Sequence, residues 1–307
     1  MKQNLRQMVF GAINVPLAIF WAEPGRPEYQ KISLAAASNP RLWSESLDVQ
    51  QRLWLVEKVN TMAIFGERVT ILDVNSNWLH VAAKAQRTKD NKWGQAGWVP
   101  ANQISYNSCY LQEQDYLPTA VISIPKATLF RDKTCWTPSV NELSFQVRLP
   151  ILMEKKASFK VRLPDGGTGN LSRLEAKKSS DLCFSRECIV ATAKCFLGLK
   201  YLWGGTSCYG FDCSGYTFRL YQSQGISLYR NSRQQAQEGI PIKEENLLTG
   251  DLLFFAGKGG KGKIHHVGMC IGNGLMIHAP QSKSAIKESR YDIGHYQEEY
   301  WGARRYV

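Results

Sequence analysis

The feature that most constrains this chain is a glycine- and aromatic-rich turn that leads into a single cysteine. Residues 201–215 read Tyr-Leu-Trp-Gly-Gly-Thr-Ser-Cys-Tyr-Gly-Phe-Asp-Cys-Ser-Gly, and an apolar-periodic segment follows over residues 216–221. The periodicity predicts a helix that begins at Cys213. A thiol at a helix N-terminus faces unpaired backbone N–H groups and the positive end of the helix dipole. We therefore predict that the thiolate of Cys213 is favoured and that this residue is a nucleophile.

Two downstream histidines complete a pattern that is typical of cysteine nucleophiles. Residues 266–272 and 275–279 read as strands, and a Gly272-Asn-Gly274 turn joins them. This predicts a hairpin, and the even spacing of His266 and His278 places both side chains on one face. In such a set Cys213 is the nucleophile, His266 the general base and His278 the residue that orients His266.

A zinc site is an alternative use of the same side chains. Cys213, His265, His266 and His278 are all of types that bind zinc. However, His265 and His266 are adjacent, and adjacent residues of a strand point to opposite faces, which leaves three ligands without an evident supporting carboxylate. We favour the catalytic interpretation and expect no metal or other cofactor.

Composition indicates a folded protein of several domains. The chain has 307 residues, 44% of them hydrophobic and 21% charged, which excludes a disordered chain. The net charge of +12 comes from Lys and Arg scattered in ones and twos, so we expect no nucleic-acid partner. No apolar run is long enough to predict a membrane span. The eight cysteines show no paired spacing, which favours a reducing compartment.

The N-terminal residues allow two interpretations. Lys2 and Arg6 precede an uncharged run over residues 8–22, which mimics a signal peptide. Asn14 and Pro16 interrupt that run, and residues 14–24 read equally well as the opening strand of a β domain. We favour the strand and a cytoplasmic location, with a secreted or periplasmic location as the alternative.

A diverged internal repeat organises the first half of the chain. Short β runs alternate with polar turns over residues 67–100, and a similar pattern recurs over residues 147–172, about eighty residues later. In the last part, helices come first and antiparallel strands second, which is typical of an α+β domain. The predicted domains are residues 1–108 (a small β-barrel with a helical insertion at 40–62), 112–178 (a second barrel, after a linker at 106–117) and 180–307 (the α+β domain).

The last domain resembles the NlpC-type bacterial cell-wall cysteine peptidases, which have a papain-like α+β fold. The motifs that carry this resemblance are Tyr201-x-Trp-Gly-Gly, Phe211-Asp-Cys-Ser-Gly215, Gly250-Asp-Leu-x-Phe-Phe255, and His266-Val-Gly with Ile277-His-Ala279. The two preceding barrels resemble bacterial SH3 modules. The combined arrangement is similar to that of the γ-D-glutamyl-L-diamino acid endopeptidases, which act on murein peptides.

The resemblance implies a role for each matching position. It assigns Cys213 as the nucleophile, His266 as the base and His278 as the orienting residue. In these enzymes the first barrel also contacts the free α-amine of L-Ala, and Glu67 is the candidate for that contact here. The family often carries a Tyr just before the Gly-Trp of the first barrel, where this chain has Gln95-Ala96. The other expected substrate-binding residues are Tyr201 near the oxyanion, Trp203 in the pocket, and Asp212, Ser214, Asn231 and Ser232 around the N-terminal part of the substrate.

The function implied is hydrolysis of the bond between γ-D-Glu and a diamino acid, through an acyl-enzyme, by a monomeric protein. The substrate is expected to be a murein-derived peptide with a free N-terminal L-Ala, and the diamino acid is either diaminopimelate or L-Lys. One alternative is another thiol amidase or transferase on the same scaffold. A second alternative is a non-catalytic wall-binding protein that uses its SH3-like domains.

Overall fold

A computed structural model of the chain describes residues 8–131 and 142–307. Cys135 and the basic residues Lys2 and Arg6 of the signal-peptide interpretation lie outside the described residues. Within those two ranges, no helix combines the length and the apolar character that a membrane crossing requires.

The first sheet has seven antiparallel strands in the order β3-β2-β6-β5-β4-β1-β7. The uncharged run at residues 8–22 forms β1 and β2, as the strand interpretation predicts, and every residue of β2 is buried. Buried β-branched and aromatic side chains stabilise such strands through their neighbours on the sheet. The strands are β1 Val9–Ile13, β2 Leu17–Trp21, β3 Val59–Ile64, β4 Arg68–Asn75, β5 Trp78–Ala83, β6 Gln95–Pro100 and β7 Ile104–Ser105.

Three helices lie between β2 and β3: α1 Pro27–Ser38, α2 Pro40–Ser46 and α3 Val49–Trp54. The predicted insertion at 40–62 is therefore displaced, because the helices begin at Pro27 and residues from Val59 onward form β3. Proline in the first turn fixes φ at a helical value, which is the signal that marks the earlier start. The insertion is fastened to the sheet by Trp21, whose ring stacks on Tyr29 at 4.0 Å and whose Nε1 donates to Ser33 Oγ at 2.9 Å.

The predicted linker at 106–117 contains a helix, α4 Ser108–Tyr116, whose first turn is capped by the side chain of Asn107. A second sheet follows in the order β10-β14-β13-β12-β8-β15, with β9 and β11 as a separate pair. The meander β12-β13-β14 repeats β4-β5-β6, as the internal repeat predicts. The strands are β8 Thr119–Ile122, β9 Lys126–Thr128, β10 Phe130–Arg131, β11 Glu142–Ser144, β12 Arg148–Glu154, β13 Ser158–Arg162, β14 Thr168–Ser172 and β15 Ala176–Lys178.

In the last part, three helices precede the main sheet, as predicted, and a fourth, α8, lies between its strands β22 and β23. Helix α6 is buried over nearly its whole length and packs against the sheet β18-β23-β19-β20-β21-β22. Burial on this scale makes α6 a rigid support for its first residue, Cys213. The elements are α5 Arg186–Lys194, β16 Thr206–Ser207, β17 Gly210–Phe211, α6 Cys213–Gln222, α7 Ser232–Gln235, β18 Ile240–Ile242, β19 Leu252–Ala256, β20 Ile264–Gly272, β21 Leu275–His278, β22 Lys287–Arg290, α8 Gly294–Glu299 and β23 Tyr300–Arg305.

Candidate active site

Cys213 is the first residue of α6 and lines a cleft of about 700 Å³. The helix is capped by Asp212, whose Oδ1 accepts a hydrogen bond from the Gly215 backbone N–H at 2.7 Å. The position of Gly215 excludes a side chain, because a Cβ there would lie 2.1 Å from the backbone oxygen of Gly205. The glycine-rich turn is thus packed directly against the first turn of α6, which fixes where the thiol lies.

A buried ion pair lies beneath the thiol. Arg230 is 1% exposed and donates through Nη1 and Nη2 to the two Asp212 oxygens, at 3.0 and 2.6 Å. Its Nη1 also donates to Ser214 Oγ, and its Nε donates to Thr61 Oγ1 from the first domain, both at 3.0 Å. Bidentate guanidinium–carboxylate pairs are strong and directional. Asp212 and Ser214 line the cleft as predicted, but both are held by Arg230. The sequence interpretation did not assign that residue, although it directly precedes Asn231.

His266 and His278 lie on neighbouring strands of the predicted hairpin. His266 Nε2 lies 2.7 Å from His278 Nδ1, and His278 Nε2 lies 3.0 Å from Ser289 Oγ on β22. Both rings are buried, at 5% and 0% exposure. Because Nε2 of His266 is engaged by His278, Nδ1 is the ring nitrogen left for the thiol.

These contacts define one consistent arrangement of protons. A base that accepts the thiol proton at Nδ1 of His266 carries its own proton on Nε2, and it donates that proton to His278 Nδ1. His278 must then carry its proton on Nε2 and donate it to Ser289 Oγ. Ser289, which the sequence interpretation did not assign, can accept this proton and is therefore compatible with that tautomer of His278.

Burial sets the charge state of the free site. It raises the pKa of the Cys213 thiol to about 12, with the Asp212 carboxylate acting in the same direction, and it lowers the pKa of His266 well below its ordinary value. The pKa of His278 falls to about 3, first through burial and then through the charges of Lys287 and His295. The expectation of a favoured thiolate is therefore wrong for the free site, because desolvation outweighs the helix terminus. Burial thus disfavours both the thiolate and the imidazolium in the free site.

Aromatic rings pack around the histidine pair. The Tyr296 ring on α8 lies 6.0 Å from the ring of His266 and 5.2 Å from that of His278, measured between centroids. Phe255 on β19 packs 5.8 Å from His266. These contacts keep water from the hydrogen bond between the two imidazoles, which strengthens it.

His265 lies apart from this pair. A bulge between Phe255 and Ala256 interrupts the pairing of β19 and β20 opposite His265, so that its side chain lines the cleft and its Nε2 lies 3.3 Å from Glu299 Oε2. Over residues 8–131 and 142–307, no three His, Cys, Asp or Glu side chains come together in a way that could hold a metal ion.

The structure separates the predicted substrate-binding residues into two groups. Glu67 is not in the cleft. It pairs with buried Arg219 at 2.5 Å and accepts a hydrogen bond from Gln86 Nε2, so its assignment as the amine contact is corrected. The remaining six all line the cleft: Tyr201, Trp203, Asp212, Ser214, Asn231 and Ser232.

The first domain does reach the cleft, but through other residues. Trp203 Nε1 donates to the backbone oxygen of Val59 at 2.9 Å, which joins the two walls. Gln95, at the position where the family often has Tyr, accepts a hydrogen bond from Asn231 Nδ2 at 3.1 Å. The cleft-lining residues from this domain are Glu57, Val59, Asn60, Lys89, Asp90 and Gln95.

Comparisons with known proteins agree with this architecture. The model of the NlpC/P60 family matches residues 198–305, and the model of the YKFC SH3b2 domain matches residues 122–178. A crystal structure of an NlpC/P60 family protein from Bacillus cereus superposes with a TM-score of 0.90 at 36% identity, covering 97% of this chain and 99% of that one. The predicted fold class, a papain-like peptidase domain preceded by SH3-like domains, is confirmed.

Two curated relatives span almost the whole chain. A gamma-D-glutamyl-L-lysine dipeptidyl-peptidase of Bacillus cereus is 36% identical, covering 96% of this chain and 90% of its own length. A protein of the same name from Bacillus subtilis is 32% identical, covering 94% of this chain and 96% of its own length.

Proposed function

This chain belongs to the NlpC/P60 family of cysteine peptidases, and from that premise we propose that it hydrolyses the bond between γ-D-Glu and a diamino acid in murein peptides. The observation that carries this proposal is the hydrogen bond between His266 and His278 beside the cleft in which Cys213 begins α6. The names and near-complete coverage of the two curated relatives support the choice of bond.

The chemistry follows from the neutral resting site. When the Cys213 sulfur attacks the γ-carbonyl carbon, its proton passes to His266, and the negative charge moves to the carbonyl oxygen. Collapse of this intermediate breaks the C–N bond, His266 returns the proton to the leaving amine, and a thioester remains on Cys213. Water then attacks the thioester with His266 again as base, which releases the acid and restores the thiol.

The two histidines have different roles in this reaction. His266 gains a positive charge during the reaction, while His278 accepts the Nε2 proton of His266 in a hydrogen bond that strengthens as that charge develops. Tyr201 lines the cleft close to Cys213, and burial raises the pKa of its hydroxyl well above the ordinary value. That hydroxyl remains a proton donor at all working pH values, which suits a contact to the developing oxyanion.

The first domain bounds the cleft at the end that would receive the N-terminal part of the substrate. Its carboxylates at the cleft are Glu57 and Asp90, of which Asp90 accepts hydrogen bonds from Gln234 Nε2 and Thr88 Oγ1. Glu57 lies in the turn after α3 at φ 64°, and this conformation, which is rare outside glycine, projects an exposed carboxylate at the cleft. We assign Glu57, in place of Glu67, as the partner of a free α-ammonium group on L-Ala.

Product analysis tests the proposal. The protein is incubated with L-Ala-γ-D-Glu-L-Lys or with the diaminopimelate analogue, and the products are identified by mass. We expect L-Ala-γ-D-Glu and the free diamino acid from at least one peptide. Release of a different fragment, or transfer of the acyl group to an added amine in preference to water, would instead support the amidase or transferase alternative.

The non-catalytic alternative is disfavoured because Cys213 lines the cleft and the hydrogen-bonded pair of His266 and His278 lies on the hairpin that packs against α6. We also propose a cytoplasmic location. Cys109, Cys183, Cys188 and Cys195 are exposed free thiols, which are chemically stable in a reducing compartment. Cell fractionation with an antibody against the chain would test this, and recovery from the culture medium would contradict it.

A further inference from the structure

A second cavity, of about 350 Å³, lies where the two SH3-like domains meet the peptidase domain. It shares no lining residue with the catalytic cleft. The first domain contributes Gly66, Glu67, Arg68, Lys84 and Ala85, helix α4 contributes Gln114 and Asp115, the second domain contributes Gln146 and Arg148, and α6 contributes Arg219 and Gln222.

The walls of this junction cavity carry more positive than negative charge. Four of its residues are cations and only two are carboxylates, and each carboxylate is already paired. Asp115 Oδ1 lies 2.6 Å from Arg68 Nη1, and Glu67 Oε1 lies 2.5 Å from Arg219 Nη2. Neither pair includes Lys84 or Arg148.

Arg148 is the residue whose position needs an explanation. Its Nη2 donates to Gln146 Oε1 and to the backbone oxygen of Gln222, at 3.3 and 3.0 Å, but no described carboxylate forms an ion pair with it. Burial and the charge of Arg219 lower the pKa of Arg148 to about 10. The guanidinium is partly withdrawn from water without a described carboxylate in contact, and Glu67, which pairs with Arg219, only opposes the lowering of the Arg148 pKa.

Polar atoms without a partner lie in the same walls. In the described part of the chain, Nε of Arg68 and Nε of Arg148 are buried and make no hydrogen bond. Guanidinium groups bind the oxygens of carboxylates and phosphates bidentately, through a pair of N–H donors. Both Nε atoms are closed off from solvent, so a ligand in the cavity would meet Lys84 and the Nη groups of the arginines, and such a cluster suits an anion with several oxygens.

We propose that the junction cavity is a binding site for a small oxyanion of the phosphate or carboxylate class, held chiefly by Arg148 and Lys84. A bound oxyanion would supply the counter-charge that Arg148 lacks and would join both SH3-like domains to α6. Since the first domain forms one wall of the catalytic cleft, such a ligand stabilises the arrangement on which substrate binding depends. The proposal does not depend on which bond the enzyme cleaves.

Thermal unfolding tests this with the full chain. Inorganic phosphate and citrate are titrated against sodium chloride of equal ionic strength, so that the two sources of oxyanion are compared with a general salt effect. At ten times the dissociation constant, we expect a rise in Tm of about 2 °C for the oxyanion that binds. Sodium chloride should give a clearly smaller shift.

Substitutions test which residues bind the oxyanion. Arg148→Met should abolish the oxyanion-dependent shift, and Lys84→Gln, at an exposed position whose loss does not threaten folding, should reduce it. Lys156→Gln, an exposed lysine outside the cavity, is the matched control and should keep the full shift. The absence of a shift in wild type, or an equal shift in Lys84→Gln and Lys156→Gln, would overturn the proposal.

Discussion

Nε2 of His266 and Nδ1 of His278 lie 2.7 Å apart, beneath the ring of Tyr296. In the tautomer that suits a base, His266 donates this hydrogen bond to His278, and the bond strengthens when His266 becomes positively charged. It also leaves Nδ1 of His266 as the ring nitrogen that can accept the proton of Cys213.

His278→Ala should lower kcat by about ten- to a hundredfold with little change in KM, because a hydrogen bond to a charged group contributes about 1.5–3 kcal/mol. His278→Asn keeps an acceptor oxygen near the position of Nδ1 and should recover part of that loss. His80→Ala, in the first domain and outside the cleft, is the control. Wild-type kcat in His278→Ala would show that the contact does not orient the base.

His266→Ala should be close to inactive, since His266 is the base that accepts the thiol proton in the proposed mechanism. His265→Ala should retain most of its activity, because the side chain contacts Glu299 and not the histidine pair. Steady-state kinetics on the tripeptide measures both variants. If His265→Ala lost its activity while His266→Ala kept it, the base would be His265 and not His266.

Stability should fall as the pH drops below about 6.5. The unfolded chain protonates a histidine near pH 6.5, whereas His278 in the folded chain resists protonation down to about pH 3, so acid favours the unfolded state. His278 alone should cost about 2 kcal/mol between pH 7 and pH 5. Denaturant unfolding at both pH values measures this, and His278→Asn should remove that part of the loss. The same loss of stability in His278→Asn and in wild type would show that folding does not lower the pKa of His278.

Alkylation of Cys213 should be slow at pH 7 in the free enzyme and should accelerate as the pH rises, because burial raises the pKa of its thiol to about 12. Cys188 and Cys195 are exposed and serve as internal references. Peptide mapping after iodoacetamide treatment separates the sites. Preferential labelling of Cys213 at pH 7 would mean that the site already holds a thiolate.

Glu57→Gln should lower kcat/KM for a peptide with a free L-Ala amine by about ten- to a hundredfold, since a charged hydrogen bond is lost. In wild type, kcat/KM should be lower for the N-acetyl peptide than for the free peptide. Glu57→Gln should reduce the ratio of these two kcat/KM values. Glu67→Gln is the matched control and should keep the wild-type ratio, because Glu67 lies outside the cleft. Equal rates on both peptides in wild type would show that this end of the cleft is open.

The features that follow from local sequence were predictable. The apolar periodicity after Cys213 and the Gly-Asn-Gly turn between two β runs encode α6 and the histidine hairpin, because both depend on nearest neighbours along the chain. The capping role of Asp212 belongs to the same class.

Features that depend on packing between domains were not predictable. Glu57 and Glu67 are both acidic residues of the first domain, and only the fold decides that one meets the cleft while the other pairs with Arg219. The pKa of Cys213 is a similar case, since the helix terminus is visible in sequence but the burial that outweighs it is not. The bulge at His265 arises from strand pairing and has no signal in the residues themselves.

The most direct test of the account is to trap the acyl-enzyme. Wild type is mixed with L-Ala-γ-D-Glu-L-Lys, quenched in acid within one turnover, and mapped by mass spectrometry, with Cys213→Ala as the control. We predict an L-Ala-γ-D-Glu acyl group on the Cys213 peptide, lost on longer incubation as L-Ala-γ-D-Glu appears. Turnover of the peptide by Cys213→Ala, or an acyl group on another cysteine, would contradict it.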